Sequence, residues 1–344
     1  MSLKPRRISV ASSTLGEAEP AFILAEVASA HQGQREQALA LARAAQEAGA
    51  SGVKLQIFRA AELVAPDDPR FSTFQKIELS IADWEALLDE VRSLGLPVLA
   101  DAFDRPSLAL AERHGVAAYK IHSTDMENPD FLRAVAATGK PLLLSTGGIG
   151  LGAVEWAIEQ VRAEGNDRLV LMHGVQNFPT RVEDSHLRFL STLKAAFGFP
   201  VGFLDHVDGG SATAELLPAL AVAFGADLVE KHITLDRRSK GFDYESALEP
   251  NRFRKMVELV RDAERASGSP AALRGESAED YHGSMRRAVV SRESLRPGEP
   301  LRPGQVAFLR NERGLSPREV GRIMGRKPRQ EIPAWQALTE ELFE

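Results

Sequence analysis

The stretch that decides the fold reads VGFLDHV at residues 201–207 and DLVEKHIT at residues 227–234, with a helical pattern between the two runs. Each run is short, mostly apolar and rich in β-branched residues, which is typical of a strand buried in a parallel sheet. Six similar runs precede them: FILAEVA (22–28), GVKLQIF (52–58), PVLADAF (97–103), AAYKIHS (117–123), PLLLST (141–146) and RLVLMHG (168–174). Eight strands alternating with helical patterns predict an α/β protein built on a (β/α)₈ TIM barrel.

Helical periodicity between the strands supports this arrangement, for example over Gln34–Ala48, Asp83–Leu94 and Leu151–Ala163. A doubly wound open sheet is the alternative, but no G-x-G-x-x-G fingerprint follows the first strand. We assign residues 1–266 to the barrel. Residues 267–284 are rich in Ser, Gly, Ala and Glu and predict a linker. Residues 285–344, with repeated Pro-Gly pairs and one helical piece near Pro317–Met324, predict a small β-rich domain.

Composition excludes several classes of protein. The 344 residues carry a net charge of −6 and only 6% aromatic residues, which argues against nucleic-acid binding. The chain has no cysteine, so disulfides, thiolate zinc sites and cysteine nucleophiles are excluded. The N-terminus has no apolar signal region, and no stretch is long enough to span a membrane, so we expect a cytoplasmic protein. Residues 285–344 hold 12 Lys/Arg against 8 Asp/Glu, which suits either an anionic ligand or an ordinary solvated surface.

Polar residues interrupt strands that should be almost entirely apolar. Alternate residues of a strand share a face, so Lys54 lies with Gln56, and Glu230 lies with His232. Glu26 is the single charged residue of its strand. The carboxyl ends of barrel strands are where barrel enzymes place their chemistry. Paired ions inside a core remain the alternative for any one of these residues.

Two histidines stand on consecutive predicted strands, His206 and His232. Neighbouring strands lie about 4.8 Å apart, so both imidazoles could bind one metal ion. Two histidine ligands without cysteine leave positions open for water and a substrate oxygen. The alternative is that each is a hydrogen-bonded core histidine.

The segment from Ser145 and Thr146 to Gly150 follows the fifth strand directly. Its hydroxyls and backbone N–H groups could hold a phosphate or carboxylate at a helix start, although glycines are common in any such loop. With Lys54 and Lys120 aimed at the same mouth, the sequence favours an anionic substrate.

Several motifs, in order along nearly the whole chain, resemble one known family. They include AEVASAHQG, VKLQIF, YKIHSTDMEN, LMHGVQNFPT, LDHVDG, EKHITLDR and GFDYESALEP, followed by RRAVVSRESLRPGEPL, FLRNERGLSP and MGRKPRQEIPAWQALTEEL. The chain is identified as a member of the sialic acid synthase (N-acetylneuraminate synthase) family, which includes spore-coat polysaccharide relatives. The last three motifs resemble its C-terminal antifreeze-like (β-clip) domain.

The resemblance implies a reaction and an assembly. Members condense phosphoenolpyruvate with an N-acylated aminohexose, N-acetylmannosamine or its 6-phosphate, to give a nine-carbon 3-deoxy-2-keto sugar acid and phosphate. A divalent ion, Mn²⁺ or Mg²⁺, assists. The antifreeze-like domain caps the barrel of a second copy, which makes a domain-swapped homodimer.

The resemblance also implies roles for individual residues. The metal ligands match His206 and His232, and the acid/base carboxylate matches Glu26, with Asp205 and Glu230 as further acidic positions. We expect phosphoenolpyruvate to bind to Lys54, Gln56, Lys120, Ser123, Ser145 and Thr146. The sugar is expected to contact Phe178, Gln176, Asp243 and Arg310, with Arg313 as the alternative arginine.

Three positions depart from the family pattern. Leu204 stands where a serine is usual, Asp101 where a threonine is usual, and Gln176 where an asparagine is usual. An aspartate near a multiply charged anion is unfavourable unless it meets a metal, water or lysine. These changes leave room for a related phosphoenolpyruvate–aldose synthase with another acceptor, or for an inactive carbohydrate-binding paralogue.

Overall fold

The computed structural model describes residues 6–268, 281 and 283–344. The chain divides into two compact units, Met1–Ser267 and Gly268–Glu344. Most of the predicted linker, residues 267–284, lies outside the described residues; its first residue, Ser267, ends a helix. Among the described residues, no helix has both the length and the apolar character that a membrane crossing requires.

The first unit is a closed barrel of eight parallel strands, which confirms the predicted fold. A two-stranded hairpin, β1 (Ile8–Val10) and β2 (Ser13–Leu15), precedes it. The barrel strands are β3 (Phe22–Glu26), β4 (Gly52–Ile57), β5 (Val98–Ala102), β6 (Ala118–Ile121), β7 (Leu142–Ser145), β8 (Leu169–His173), β9 (Val201–Asp205) and β10 (Leu228–His232). The barrel closes where β10 pairs with β3, with His232 opposite Glu26.

The helices of this unit alternate with the strands. They are α1 (Arg35–Glu47), α2 (Ala60–Leu63), α3 (Phe71–Ile77), α4 (Ile81–Ser93), α5 (Arg105–Arg113), α6 (Pro129–Ala136), α7 (Leu151–Ala163), α8 (Phe189–Phe197), α9 (Thr213–Ala223) and α10 (Pro250–Ser267). Side-chain caps fix several starts: Ser80 accepts the N–H of Asp83, and Asp104 accepts that of Ser107. The three predicted helices are confirmed within two residues at each end.

Strand alternation separates two apolar cores. Every second strand residue faces the lumen, where Leu24, Leu99, Leu143, Leu204 and Leu228 pack together. The other face packs against the surrounding helices in a larger cluster. The hairpin, which the sequence analysis did not predict, adds the buried side chains of Ile8, Val10 and Leu15 to the lumen core. The lumen is therefore filled with hydrocarbon below the layer that carries the polar residues.

The second unit is small and β-rich, as predicted. Strands β11 (Arg287–Ser291) and β12 (Val306–Arg310) form an antiparallel pair. The predicted helical piece is a 3₁₀ helix at Pro317–Arg322. Seven buried apolar side chains form a separate core: Val289, Leu295, Leu301, Ile323, Ile332, Leu338 and Phe343.

Two loops at the carboxyl end of the barrel touch through backbone atoms. A Cβ on Gly147, after β7, would overlap the carbonyl oxygen of Gly174, after β8. Because this neighbour is backbone, it cannot rotate away. We expect Gly147→Ala to lower the free energy of unfolding by about 1–3 kcal/mol, measured by urea denaturation.

The matched control is Gly152→Ala in α7, where an added Cβ meets nothing within 4 Å. Alanine is the better helix former there, so this variant should be unchanged or more stable by about 0.5–1 kcal/mol. Equal stability of the two variants would contradict the close approach at Gly147.

Candidate active site

Five charged side chains meet inside the lumen at the carboxyl ends of five strands. They are Glu26, Lys54, Asp101, Lys120 and Glu230, and none is more than 3% exposed. Alternation along each strand places them on the same face as the apolar lumen core below. The cluster holds three carboxylates and two ammonium groups within the low-dielectric interior.

Ion pairs compensate most of this buried charge. The Nζ atoms of Lys54 and Lys120 lie 2.8 and 2.7 Å from one oxygen of Glu230, Oε1. Lys54 also pairs with Glu26. Unpaired burial of any of these charges would cost several kcal/mol, so the pairs are a condition for the cluster to exist. Lys54 and Lys120 are both predicted anion-binding residues, and the structure brings them together with Glu26.

Two carboxyl groups of the cluster, Glu26 and Glu230, have strongly shifted pKa values. Burial raises the pKa of Glu26 to about 8, with Lys54 acting against it and the charge of Glu230 adding to it. Burial also disfavours the charged form of Glu230, but Lys120 and Lys54 outweigh it and hold the pKa of Glu230 below its usual range. Glu26 therefore holds a proton near neutral pH while Glu230 is ionised, which suits Glu26 to acid–base chemistry.

The two histidines lie side by side, with 5.3 Å between the ring centres of His206 and His232. Nδ1 of His206 is 2.9 Å from the carbonyl oxygen of Val175 and donates to it, which leaves Nε2 as an acceptor. Nδ1 of His232 is buried without a hydrogen-bond partner. Burial lowers the pKa of His206 to about 3 and also lowers that of His232, so both rings are neutral.

Neutral imidazoles with a free nitrogen fit a divalent metal ion. Within the described ranges, no group of three or more His, Asp and Glu side chains surrounds one metal position. The chain thus offers two nitrogen donors, and water or substrate oxygens would supply the rest. This donor set suits an ion that works with the substrate.

Ser123, Gln176 and Ser145 form a chain of polar groups beside Lys120. The hydroxyl of Ser123 donates to Oε1 of Gln176 at 3.0 Å, and Nε2 of Gln176 donates to the hydroxyl of Ser145 at 3.4 Å. Lys120 lies on β6, Ser123 follows β6, Ser145 ends β7 and Gln176 follows β8, so all four belong to neighbouring strands or their loops. The arrangement supplies hydrogen bonds for an anion at the mouth.

The cavity above the cluster has a volume of about 350 Å³. Of the predicted site residues, Glu26, Gln56, Lys120, Gln176, Phe178, His206, Glu230, His232 and Asp243 line it. The Phe178 ring lies 4.7 Å from that of His206 and 5.6 Å from that of His232. Oδ2 of Asp243 accepts the N–H of Ser29 at 3.3 Å, and burial raises the pKa of Asp243 to about 6. A cavity with one polar and one aromatic wall suits a sugar.

Sequence reasoning missed seven residues that line the cavity: Ala28, Ser29, Arg70, Thr73, Phe74, His122 and Phe242. His122 could have been found, because it follows Lys120 by two positions and so shares its face. Burial lowers the pKa of His122 to about 4, so this ring is neutral. The other residues lie on loops and on α3, where strand alternation says nothing about direction.

Six predicted site residues do not line the cavity. Lys54 belongs to the buried charged cluster, and Ser123 and Ser145 are hydrogen-bonded to Gln176. The other three lie elsewhere. Asp205 is on the outward face of β9, where its Oδ2 lies 2.9 Å from Nζ of Lys231. The predicted catalytic role is therefore replaced by a structural one. The hydroxyl of Thr146 donates to the carbonyl oxygen of Met172 at 3.1 Å and does not line the cavity. Arg310 is exposed at the end of β12 in the second unit.

Comparison with known proteins agrees with this geometry. The model of the NeuB family matches residues 41–272. The chain belongs to the NeuB family. It is an enzyme of the sialic acid synthase type.

Individual relatives support the assignment over nearly the full length. The chain is 32% identical to an N,N'-diacetyllegionaminic acid synthase of Legionella pneumophila, covering 96% of each chain. It is 33% identical to the spore coat polysaccharide biosynthesis protein SpsE of Bacillus subtilis, covering 90% of this chain and 89% of that one. The crystal structure of the N-acetylneuraminic acid synthetase of Leptospira borgpetersenii superimposes with a TM-score of 0.75 at 28% identity, covering 81% of this chain and 97% of that one.

The structural role of the Asp205–Lys231 ion pair can be tested by substitution. Both side chains are fully buried. We expect Lys231→Met to lower the free energy of unfolding by about 3–5 kcal/mol, because the variant leaves a buried carboxylate unpaired. The double variant Asp205→Leu/Lys231→Met should recover most of that loss, since it removes both charges. Guanidinium denaturation measures both; a double variant as unstable as the single one would contradict a simple ion pair.

Proposed function

We propose that this enzyme condenses phosphoenolpyruvate with the open-chain form of an N-acylated aminohexose. The observation that carries the proposal is the buried pair Lys54 and Lys120, next to a protonated Glu26 and two neutral histidines at one barrel mouth. Two buried ammonium groups suit a substrate with a phosphate and a carboxylate. Family membership supports the same reaction class.

The proposed reaction forms one carbon–carbon bond and releases phosphate. The C3 carbon of phosphoenolpyruvate forms a bond to the aldehyde carbon of the sugar, and the aldehyde oxygen becomes a hydroxyl. Water adds to C2, the C–O bond to phosphate breaks, and inorganic phosphate leaves. The product is a 3-deoxy-2-keto acid longer than the sugar by three carbons, so a six-carbon acceptor gives nine carbons.

The residues of the chain divide the work. Lys54 and Lys120 hold the anionic substrate by exchanging part of their contact with Glu230 for substrate oxygens. Glu26 moves a proton at the reacting atoms, with a pKa near the working pH. A divalent ion, Mn²⁺ or Mg²⁺, would be held by His206 and His232 and would supply Lewis acidity toward the aldehyde oxygen. Gln176, Phe178 and Asp243 orient the sugar.

We further propose that the acceptor is N-acetylmannosamine, its 6-phosphate or a 2,4-diacetamido-trideoxy hexose. The last class is supported by the relative named as an N,N'-diacetyllegionaminic acid synthase. A homodimer in which Arg310 of one copy serves the sugar site of the other is a proposal of the same kind, supported by the exposure of Arg310 on β12.

The test is phosphate release from phosphoenolpyruvate in the presence of manganese, measured with each of the three acceptors. We expect release with one acceptor and its loss on adding a chelator, with recovery when manganese is restored. Absence of release with every acceptor, from folded protein that binds manganese, would contradict the condensing function and favour a carbohydrate-binding role.

Glu26→Gln tests the proton-transfer role in the same assay. We expect phosphate release to slow by a factor of about 10²–10⁴, because glutamine cannot exchange a proton. Phosphoenolpyruvate should still bind, since both lysines remain. Glu159→Gln, at an exposed position of α7, is the matched control and should leave the rate unchanged. A full rate in Glu26→Gln would remove Glu26 from the mechanism.

A further inference from the structure

Asp101 is the one member of the charged cluster whose carboxylate oxygens both lack a hydrogen-bond partner among the described residues. Its side chain faces the lumen from β5 and is completely buried. The nearest cation, Nζ of Lys54, lies 3.8 Å from its Oδ2, beyond hydrogen-bond distance. A buried carboxylate without donors costs several kcal/mol, so this position calls for a partner that the free protein does not supply.

The neighbours of Asp101 are already engaged with other groups. Lys54 contacts Glu26 and Glu230, and Lys120 contacts Glu230. Oε1 of Glu26 accepts the N–H of Ala28 at 2.7 Å. The charged and titratable groups that face Asp101 are Lys54 on β4, Lys120 on β6, Glu230 on β10 and Asp125 after β6, with Glu26 on β3 just beyond Lys54. Both ammonium groups of the cluster are therefore in contact with Glu26 or Glu230, and neither is within hydrogen-bond distance of Asp101.

Binding of a multiply charged anion would add negative charge to this buried cluster. A phosphate and a carboxylate placed on Lys54 and Lys120 would bring negative charge close to Asp101, which has no cation of its own. Glu230 is held ionised by two lysines, so it is poorly placed to take up a proton. Asp101 loses no hydrogen bond on protonation, and it gains a donor.

We propose that Asp101 takes up one proton from solvent as phosphoenolpyruvate binds and, as a neutral carboxylic acid, donates a hydrogen bond to the bound anion. The inference rests on the function proposed above. It assigns Asp101 as an anion-binding residue and couples substrate affinity to pH.

The protonation equilibrium of the free protein is compatible with this role. Burial raises the pKa of Asp101 to about 6, with Lys54 and Lys120 acting against the rise. A bound anion would raise this pKa further. Above about pH 6 the free protein is ionised at Asp101 and the complex is protonated, so binding takes up one proton. The affinity for phosphoenolpyruvate should then fall by about tenfold for each pH unit.

The experiment measures the Kd of phosphoenolpyruvate by calorimetry from about pH 6 to about pH 8.5 in the wild type and in Asp101→Asn. Asparagine has nearly the same shape, donates a hydrogen bond and carries no charge. Titration of the ligand's own phosphate contributes equally to both proteins, so the difference between their slopes belongs to Asp101. Repeating the titration in two buffers of different ionisation enthalpy counts the protons taken up.

Two further variants keep the result interpretable. Asp101→Ser removes the charge with a smaller side chain and should also lose the extra slope, which covers the case in which asparagine misfolds. Asp227→Asn is the matched control, because Asp227 is a second buried aspartate whose pKa burial raises; it pairs with Lys194 just before β10, at the other end of the barrel. This variant should keep the wild-type slope.

We expect a slope steeper by about one log unit per pH unit in the wild type than in Asp101→Asn, and tighter binding by the variant at pH values above about 7. Equal slopes with measurable binding by both proteins would overturn the inference and leave the proposed function standing. Absence of phosphoenolpyruvate binding by wild type, Asp101→Asn and Asp101→Ser alike would overturn both.

Discussion

The alternation of strand residues in a closed parallel barrel is the constraint on which the whole site depends. Successive residues of each strand face alternately the lumen and the surrounding helices, and both faces are buried. In the lower part of the lumen these residues are apolar and fill the space, helped by the β1–β2 hairpin. At the carboxyl ends the same face carries Glu26, Lys54, Asp101, Lys120 and Glu230. Because the apolar side chains below bury the charged layer, its charges are poorly solvated and interact strongly with one another.

The burial of this layer explains why carboxylates and lysines occur together in the proposed anion site. Lys54 and Lys120 without counter-charges would not tolerate burial in the free protein. Glu230 supplies that counter-charge to both lysines through one oxygen. An anion bound to these lysines would compete with Glu230, so the net binding energy would be smaller than the bare attraction between a lysine and a phosphate. What the arrangement provides is preorganisation, because the ammonium groups are already desolvated and aimed.

Much of this could be predicted from the sequence, and the exceptions have physical reasons. The barrel follows from eight apolar runs with helical patterns between them, and the lumen position of His206 and His232 follows from their strands. Asp205 enters the predicted site through the family resemblance, but parity puts it on the face of β9 opposite to that of His206, where it meets Lys231. Thr146 directly follows Ser145, so it too points to the opposite face, where its hydroxyl donates to the carbonyl oxygen of Met172. Phe242 and Arg70 lie on loops, where no period fixes the direction of a side chain. The hairpin at Ile8–Leu15 has strands of three residues, too short for a pattern to indicate.

The two buried ion systems of the barrel show how similar residues serve different ends. Lys231 and Asp205 lie between strands and helices as one cation with one anion, 2.9 Å apart, and each also bonds to the backbone of Val207. In the lumen cluster, both carboxylate oxygens of Asp101 lack a donor among the described residues, and the nearest cation is 3.8 Å away. The Asp205–Lys231 pair does not line the cavity, so its contacts serve the packing of strands against helices. Glu26, Lys120 and Glu230 of the lumen cluster do line the cavity and can exchange contacts with a ligand. The difference between the two ion systems therefore lies less in the residue types than in which face of the strand carries them.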